Sequence, residues 1–156
     1  MATILVVEDE LDVQRVVAKR LSSRGFTVHC ASDGVQAVQK VHNIHPDLII
    51  LDLQLPAGDG LSVLRKLHLS DSTKKTKIVV LTGMTNELFK QSVLIEGVDA
   101  YLQKPYDSQV LLETIDKILG EKEKHEQKTQ DSKPADISEE PTLFDYAASK
   151  NGLHFI

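Results

Sequence analysis

Five short apolar runs alternate along the chain with longer segments in which apolar residues recur at helical spacing. The runs predict strands near 3–8, 26–31, 47–52, 77–82 and 99–102, and their nearly unbroken apolar character at 48–51 and 78–81 is typical of central parallel strands. The intervening segments predict helices over 11–24, 34–44, 60–69, 86–96 and 107–119. This alternation predicts an α/β fold, in which five βα units form a doubly wound, five-stranded parallel sheet.

The pattern divides the chain into three parts. Residues 1–120 carry the alternating elements and form one domain, with Gly25, Gly97 and Gly120 as expected helix ends. Residues 121–140 are rich in Glu, Lys, Gln, Asp and Ser, which predicts the frayed end of the last helix followed by a flexible polar linker.

Residues 141–156 regain apolar character and predict a short tail that is helical at first and strand-like at its end. We expect this tail to dock on the domain or on a partner. The alternatives are a disordered tail or the start of another domain, so the sequence is compatible both with a stand-alone domain and with a fragment of a longer protein.

The composition and net charge indicate a globular domain and argue against nucleic-acid and membrane binding. The 156 residues are 41% hydrophobic and 26% charged, with a net charge of −5. These values suit a globular domain, and with no strongly basic stretch we expect no direct DNA binding by this chain. No apolar run reaches the ~20 residues of a membrane span, and no secretory signal is evident, so we expect a cytoplasmic protein with no membrane contact.

Polar residues with complementary chemistry follow four of the predicted strands. Glu8 and Asp9 follow the first strand, and Asp52, Thr82 and Lys104 lie at or just after the ends of three others. Because the carboxyl ends of parallel strands share one edge of a sheet, these groups should converge there. Carboxylates suit Mg²⁺, and together with a hydroxyl and an ammonium they suit phosphoryl transfer to a carboxylate, with Asp52 as nucleophile.

Each of these residues also has an ordinary explanation when it is taken alone. Glu8 and Asp9 fit a solvated acidic start of a helix, and Asp52 fits a polar turn. Thr82 is an ordinary residue for a strand end, and Lys104-Pro105 is a common loop dipeptide. The functional hypothesis depends on the set rather than on any single member.

Over roughly residues 3–120 the chain resembles the response-regulator receiver domains of two-component signalling, which have a flavodoxin-like fold. The matching stretches are Ile4-Leu5-Val6-Val7-Glu8-Asp9-Glu10, Pro46-Asp47-Leu48-Ile49-Ile50-Leu51-Asp52-Leu53-Gln54-Leu55-Pro56-Ala57-Gly58-Asp59-Gly60, Val79-Val80-Leu81-Thr82-Gly83 and Gly97-Val98-Asp99-Ala100-Tyr101-Leu102-Gln103-Lys104-Pro105. Two positions depart from the common pattern: Glu8 stands where the family often has Asp, and Leu55 where Met is frequent. Both changes are conservative.

The resemblance implies a role for each site residue. It makes Asp52 the phosphoacceptor, and it makes Asp9, Asp52 and the backbone carbonyl of Gln54 ligands of Mg²⁺, with Glu8 acting mostly through water. It implies that Lys104 holds the phosphoryl group after a cis peptide to Pro105 and that Thr82 and Tyr101 form a switch pair. Gly83 and Met84 would flank the site.

The leading interpretation is therefore a phosphorylation-controlled signalling switch rather than a conventional turnover enzyme. It would catalyse its own aspartyl phosphorylation and slow dephosphorylation. The expected partners are a histidine kinase or histidine phosphotransfer protein and a downstream protein that binds the 86–119 surface. The domain would be a monomer or a phosphorylation-dependent dimer.

Two alternatives come from other classes. A phosphatase of the haloacid-dehalogenase type also uses an Asp nucleophile, but it needs a second Asp two residues later, where this chain has Gln54. A degenerate receiver that only binds partners is the other alternative, and the intact acidic set opposes it.

Overall fold

A computed structural model describes residues 1–55, 60–131 and 154–155. The strands are β1 (Thr3–Val7), β2 (Thr27–Ala31), β3 (Leu48–Asp52), β4 (Lys77–Thr82), β5 (Ala100–Gln103) and β6 (His154–Phe155). The helices are α1 (Leu11–Ser23), α2 (Gly34–Ile44), α3 (Gly60–Leu69), α4 (Glu87–Glu96) and α5 (Ser108–Asp131), with a 3₁₀ turn at Asp71–Thr73.

The strands form one parallel sheet in the order β2-β1-β3-β4-β5-β6. β1, β3 and β4 form its apolar centre, where the side chains from Ile4 to Val7 and from Leu48 to Leu51 are almost completely buried. Burial on both faces explains why these strands are continuous apolar runs rather than alternating ones. The predicted doubly wound α/β fold is confirmed.

Two apolar layers sandwich the sheet. One layer packs residues of α2, α3 and α4 against alternate strand positions such as Leu5, Ile49 and Val80. The other packs α1 and α5 against the intervening positions such as Ile4, Ile50 and Val79. The helices thus cover both faces and leave the carboxyl ends of the strands as the edge where polar residues gather.

Local signals in the sequence set most of the helix boundaries. The Asp33 side chain accepts a hydrogen bond of 2.8 Å from the Gln36 backbone N–H, which caps α2. Gly25 and Gly97 adopt positive φ values of 91° and 85° just after α1 and α4, as expected of helix ends. The first four helices lie within a residue of their predicted bounds.

The predicted helix end at Gly120 is wrong, because α5 continues to Asp131. Glycine within a helix costs only about 1 kcal/mol, and the residues that follow it are mostly Glu, Lys and Gln, which favour helix. Part of the predicted flexible linker, 121–131, is therefore helical backbone. The remainder of that linker and most of the 141–156 tail lie outside the described residues.

The described sheet has six strands rather than five, because His154–Phe155 adds a short parallel strand beside β5. None of the helices within the described ranges is long and apolar enough to cross a bilayer.

Candidate functional site

The sheet places the candidate residues along one edge. β1 and β3 are neighbours, but the chain leaves β1 toward β2 on one side and leaves β3 toward β4 on the other. The connections diverge between them, and such a switch point in a parallel sheet opens a crevice beyond the carboxyl ends of the strands. Glu8 and Asp9 follow β1, Asp52 ends β3, Thr82 ends β4 and Lys104 follows β5.

The structure brings three acidic side chains together in this crevice. Glu8 and Asp52 are only 3% and 2% exposed, whereas Asp9 is half-buried. Each offers a carboxylate oxygen, and these oxygens lie within 4.8 Å of one another. Such a cluster of hard oxygen donors, open to solvent on the side of Asp9, fits a divalent cation that keeps part of its water shell.

Lys104 provides the positive charge of the site. Its Nζ donates hydrogen bonds of 3.0 Å to Asp52 Oδ2 and 3.2 Å to Glu8 Oε2. The backbone of the same residue is fixed by a 2.8 Å bond from its N–H to the Thr82 carbonyl, and its peptide bond to Pro105 is cis. The ammonium therefore bridges the two buried carboxylates at the crevice floor.

The charges of the cluster shift its acid–base equilibria. Burial and the neighbouring Asp52 raise the pKa of Glu8 to about 7, although Lys104 opposes the rise. Burial also acts against the ammonium of Lys104, but Asp52 and Glu8 outweigh it and raise the pKa of that group. Among the described residues the cluster holds three carboxylates and one ammonium, so a bound cation would complete the charge balance in place of a proton.

Backbone amides hold the rim of the site. The Gln54 N–H donates to Asp52 Oδ1 at 2.9 Å, which fixes one oxygen of this carboxylate opposite the one that Lys104 binds. The Gly83 N–H donates to the Gln54 side-chain oxygen at 3.3 Å, and the Met84 N–H donates to Thr82 Oγ1 at 3.1 Å. Gly83 and Met84 thus flank the crevice, close to where Asp52 and Thr82 end their strands.

Tyr101 lies on β5, and β4 separates it from β3, the strand that carries Asp52. It pairs with Val80 in the β4–β5 register, so it shares a sheet face with Thr82, two residues further along β4. Its side chain is buried in the layer that contains Val93 and Val98. Its hydroxyl has no hydrogen-bond partner among the described residues, and burial raises its pKa.

The residue that the sequence analysis missed is Gln14. It is buried on α1, where its amide donates to the carbonyls of Glu8 at 3.0 Å and Ala31 at 3.1 Å. It thereby ties the loop after β1 to the end of β2 and fixes the backbone that carries Glu8. The available signal was a polar residue three positions before Val17 and seven before Leu21 on the buried side of the helix.

Comparison with known proteins identifies the family of the domain. The family model for the response regulator receiver domain matches residues 4–116. The response regulator ArlR of Staphylococcus aureus strain Mu50 is 36% identical over 119 residues, which cover 76% of this chain and 53% of that protein. The chain therefore spans about half the length of the curated relatives it matches.

Solved structures share the fold. A CheY-like response regulator receiver domain protein from Methanospirillum hungatei JF-1 has a TM-score of 0.75 at 29% identity, covering 80% of this chain and 98% of its own. The chemotaxis response regulator CheY4 of Vibrio cholerae has a TM-score of 0.71 at 30% identity, covering 76% and 98% respectively. The chain belongs to the receiver-domain family of the response regulators of two-component systems.

Proposed function

We propose that this receiver is a phosphorylation-controlled switch in which Asp52 accepts a phosphoryl group with the help of Mg²⁺. The observation that carries the proposal is the position of Lys104, whose ammonium contacts Asp52 Oδ2 within an acidic crevice. The Asp52 carboxylate is buried, and the Gln54 backbone N–H holds its second oxygen. It is thus presented in a fixed orientation, as a nucleophile requires.

The proposed reaction is an in-line displacement. An oxygen of Asp52 attacks the phosphorus of a phosphohistidine or of a small acyl phosphate and forms an acyl phosphate. The bond from phosphorus to the leaving nitrogen or oxygen breaks, and the leaving group takes that electron pair and then a proton if needed. Water later hydrolyses the acyl phosphate and restores the carboxylate.

The side chains around Asp52 stabilise the charge that arrives with the phosphoryl group. The Lys104 ammonium exchanges its contact with the carboxylate for one with a phosphoryl oxygen, since it already lies 3.0 Å from Asp52. The Thr82 hydroxyl and the Gly83 and Met84 backbone N–H groups are the further donors at this edge. No side chain at Gln54 or Met84 can act as a base on water, which favours slow dephosphorylation.

In this proposal Asp9, Asp52 and the Gln54 backbone carbonyl would hold Mg²⁺ directly, and Glu8 would act through water. When Mg²⁺ is bound, it neutralises the carboxylates and the incoming phosphoryl charge. The geometry supports this assignment, because Glu8, Asp9 and Asp52 each place a carboxylate oxygen within 4.8 Å of the others.

The output is a population shift carried by Thr82 and Tyr101. When Thr82 moves toward a phosphoryl oxygen, the space that it leaves on the shared sheet face can take the Tyr101 ring. The change alters the 86–119 surface, which comprises α4, β5 and the first part of α5. This surface already exposes Leu88 and Ile95, the kind of apolar positions that a protein partner buries.

The proposed upstream partner is a histidine kinase or a histidine phosphotransfer protein, and the downstream partner is a protein that reads the 86–119 surface. The receiver itself contacts neither DNA nor membrane in this proposal, and it acts as a monomer or as a dimer formed on phosphorylation.

Intact-mass spectrometry after incubation with Mg²⁺ and acetyl phosphate tests the function. The chain should gain one phosphoryl group, and Asp52→Asn should gain none. Asp71→Asn is the matched control, because Asp71 is a highly exposed aspartate remote from the cluster. Equal phosphorylation of all three proteins would contradict the proposal.

A further inference from the structure

The outer edge of β5 is occupied by the chain itself. β6 lies parallel to β5 with Ala100 opposite His154 and Tyr101 opposite Phe155. Without β6, β5 would be the edge strand and would leave a row of backbone N–H and C=O groups unpaired. β6 therefore pairs with part of an edge that would be unpaired if the sheet had only its five predicted strands.

The direction of α5 makes this pairing possible within one chain. Ser108, at the start of α5, shares a cavity with Asp12 at the start of α1, whereas Asp116 pairs with Arg24 after the end of α1 at 3.3 Å. α5 thus runs back toward the edge where the strands begin, which is where a further parallel strand must enter. The 22 residues between Asp131 and His154 can span at most about 80 Å.

The residue beside this added strand is the proposed switch residue. Tyr101 is only 6% exposed although it lies in the last of the five longer strands. Lys90 of α4 lies over its ring, with Nζ 5.6 Å from the centroid, and its hydroxyl is buried without a partner among the described residues. The ring packs in the apolar layer that contains Val93 and Val98, and these contacts favour its buried position.

We infer that the outer edge of β5 is a strand-addition site occupied by residues 154–155 of the same chain, and that this strand holds Tyr101 in its buried position. A coupling between β6 and phosphorylation follows from this inference, and it rests on the proposed function. In the proposed switch the Tyr101 ring moves further inward, into the space that Thr82 vacates, so a strand that favours burial of this ring favours the phosphorylated packing. By linkage, phosphorylation then favours the pairing of β6 to the same extent.

Hydrogen exchange tests the pairing without any phosphodonor. Proline at both positions, His154→Pro with Phe155→Pro, removes both backbone donors, whereas His154→Ala with Phe155→Ala keeps them. Amides of Ala100–Gln103 should exchange at least ~10-fold faster in the proline variant than in the native chain, and near the native rate in the alanine variant. Equal exchange in all three proteins, or equal acceleration in both variants, would overturn the pairing.

Hydrogen exchange at several protein concentrations shows whether the strand beside β5 comes from the same chain or from a second copy. The protection of β5 should be the same over a wide concentration range, because the strand comes from the same chain. Protection that grows with concentration would assign the edge to a second copy and overturn the inference.

Beryllofluoride, a phosphoryl analogue, tests the link to Asp52. With Mg²⁺, the proline variant should bind it about 3- to 10-fold more weakly than the alanine variant, and Tyr101→Ala should abolish this difference. Equal affinity of the two variants, or a difference that persists in Tyr101→Ala, would overturn the link.

The two proposals fail in different ways. If Asp52→Asn binds beryllofluoride as well as the native chain does, the proposed function fails, but the exchange of β5 amides still reports on β6. If Asp52→Asn abolishes binding while the proline and alanine variants bind equally, only the link through Tyr101 fails.

Discussion

At the scale of single residues, the site depends on one ammonium among three carboxylates. Lys104 contacts both Asp52 and Glu8, and it is held at the end of β5 by the Thr82 carbonyl. We propose that its ammonium neutralises the negative charge of the incoming phosphoryl group. This role can be distinguished from a merely structural one, because another lysine–aspartate pair, Lys77 with Asp99, lies at the opposite edge of the sheet and serves for comparison.

Replacing Lys104 with Met should slow phosphorylation by acetyl phosphate by about 100-fold, since a preorganised donor of this kind contributes on that order. Lys77→Met is the matched control, because Lys77 pairs with Asp99 at 3.7 Å where β4 begins. The rates come from intact-mass time courses at fixed Mg²⁺. Similar slowing in both variants would show that loss of an ion pair, and not the position of Lys104, is responsible.

The residue scale also shows what the sequence could reveal. The convergence of Glu8, Asp52 and Lys104 was predictable, because parallel strands end at one edge and each of these residues lies at or just after a strand end. The buried role of Gln14 and the bond from Gly83 to the Gln54 side chain were not, because they depend on which carbonyl or amide a long side chain reaches in three dimensions.

At the scale of elements, β4 and β5 join the site to the 86–119 surface. Thr82 and Tyr101 share a sheet face in the β4–β5 register, so a shift of one changes the space available to the other. The hydroxyl of Thr82 is the proposed sensor of the phosphoryl group, and its methyl group fills space in the sheet.

Beryllofluoride with Mg²⁺ should therefore shift backbone amide resonances across α4 and β5. In Thr82→Ala these shifts should be much smaller, whereas Thr82→Ser, which keeps the hydroxyl, should preserve most of them. Two-dimensional NMR spectra of the three proteins measure the effect. Shifts in the alanine variant as large as those in the native chain would contradict the coupling.

The close packing of Gly60, at the start of α3, leads to a prediction about stability. A Cβ atom on Gly60 would lie 2.4 Å from the Leu53 Cα and carbonyl oxygen, both of which belong to the backbone. Gly60→Ala should lower the free energy of unfolding by about 1–3 kcal/mol, because the backbone after β3 must move.

Gly120 supplies the opposite case within α5. Apart from its chain neighbours and the backbone of its own helix, no atom of the described residues lies within 4 Å of the place its Cβ would take. Gly120→Ala should therefore raise the free energy of unfolding by about 0.5–1 kcal/mol. Urea denaturation measures both variants. A stabilised Gly60→Ala or a destabilised Gly120→Ala would show that the helix contacts are not as described.

The ends of the elements mark where sequence reasoning fails. The first four helices were predictable because capping residues and glycines act locally, as at Asp33 and Gly97. The extension of α5 was missed because Gly120 is only a weak helix breaker. A strand-like end of the tail was predicted and β6 lies there, but its pairing with β5 could not be predicted, since its two residues gain their structure only from pairing with a distant strand.

At the scale of the whole molecule, the acidic cluster links metal binding to stability. The strands that meet at the cluster come from separate parts of the chain, so the three carboxylates are brought together only on folding. A cation that binds the folded state alone stabilises the whole domain by mass action.

Saturating Mg²⁺ should thus raise the free energy of unfolding of the native chain by about 1–3 kcal/mol and have little effect on Asp9→Ala. Asp12→Ala is the control, because Asp12 is exposed on α1 and does not belong to the cluster. Thermal unfolding with and without Mg²⁺ provides the comparison. An undiminished response in Asp9→Ala would remove Asp9 from the metal site.

The central claim is that Asp52 is the residue that becomes phosphorylated, and locating the acyl phosphate tests it most directly. Borohydride reduces an aspartyl phosphate to homoserine, which marks the modified position permanently for peptide mapping by mass spectrometry. After treatment with Mg²⁺ and acetyl phosphate, homoserine should appear at position 52 and at no other aspartate. Homoserine at position 9, or at any position other than 52, would contradict the account.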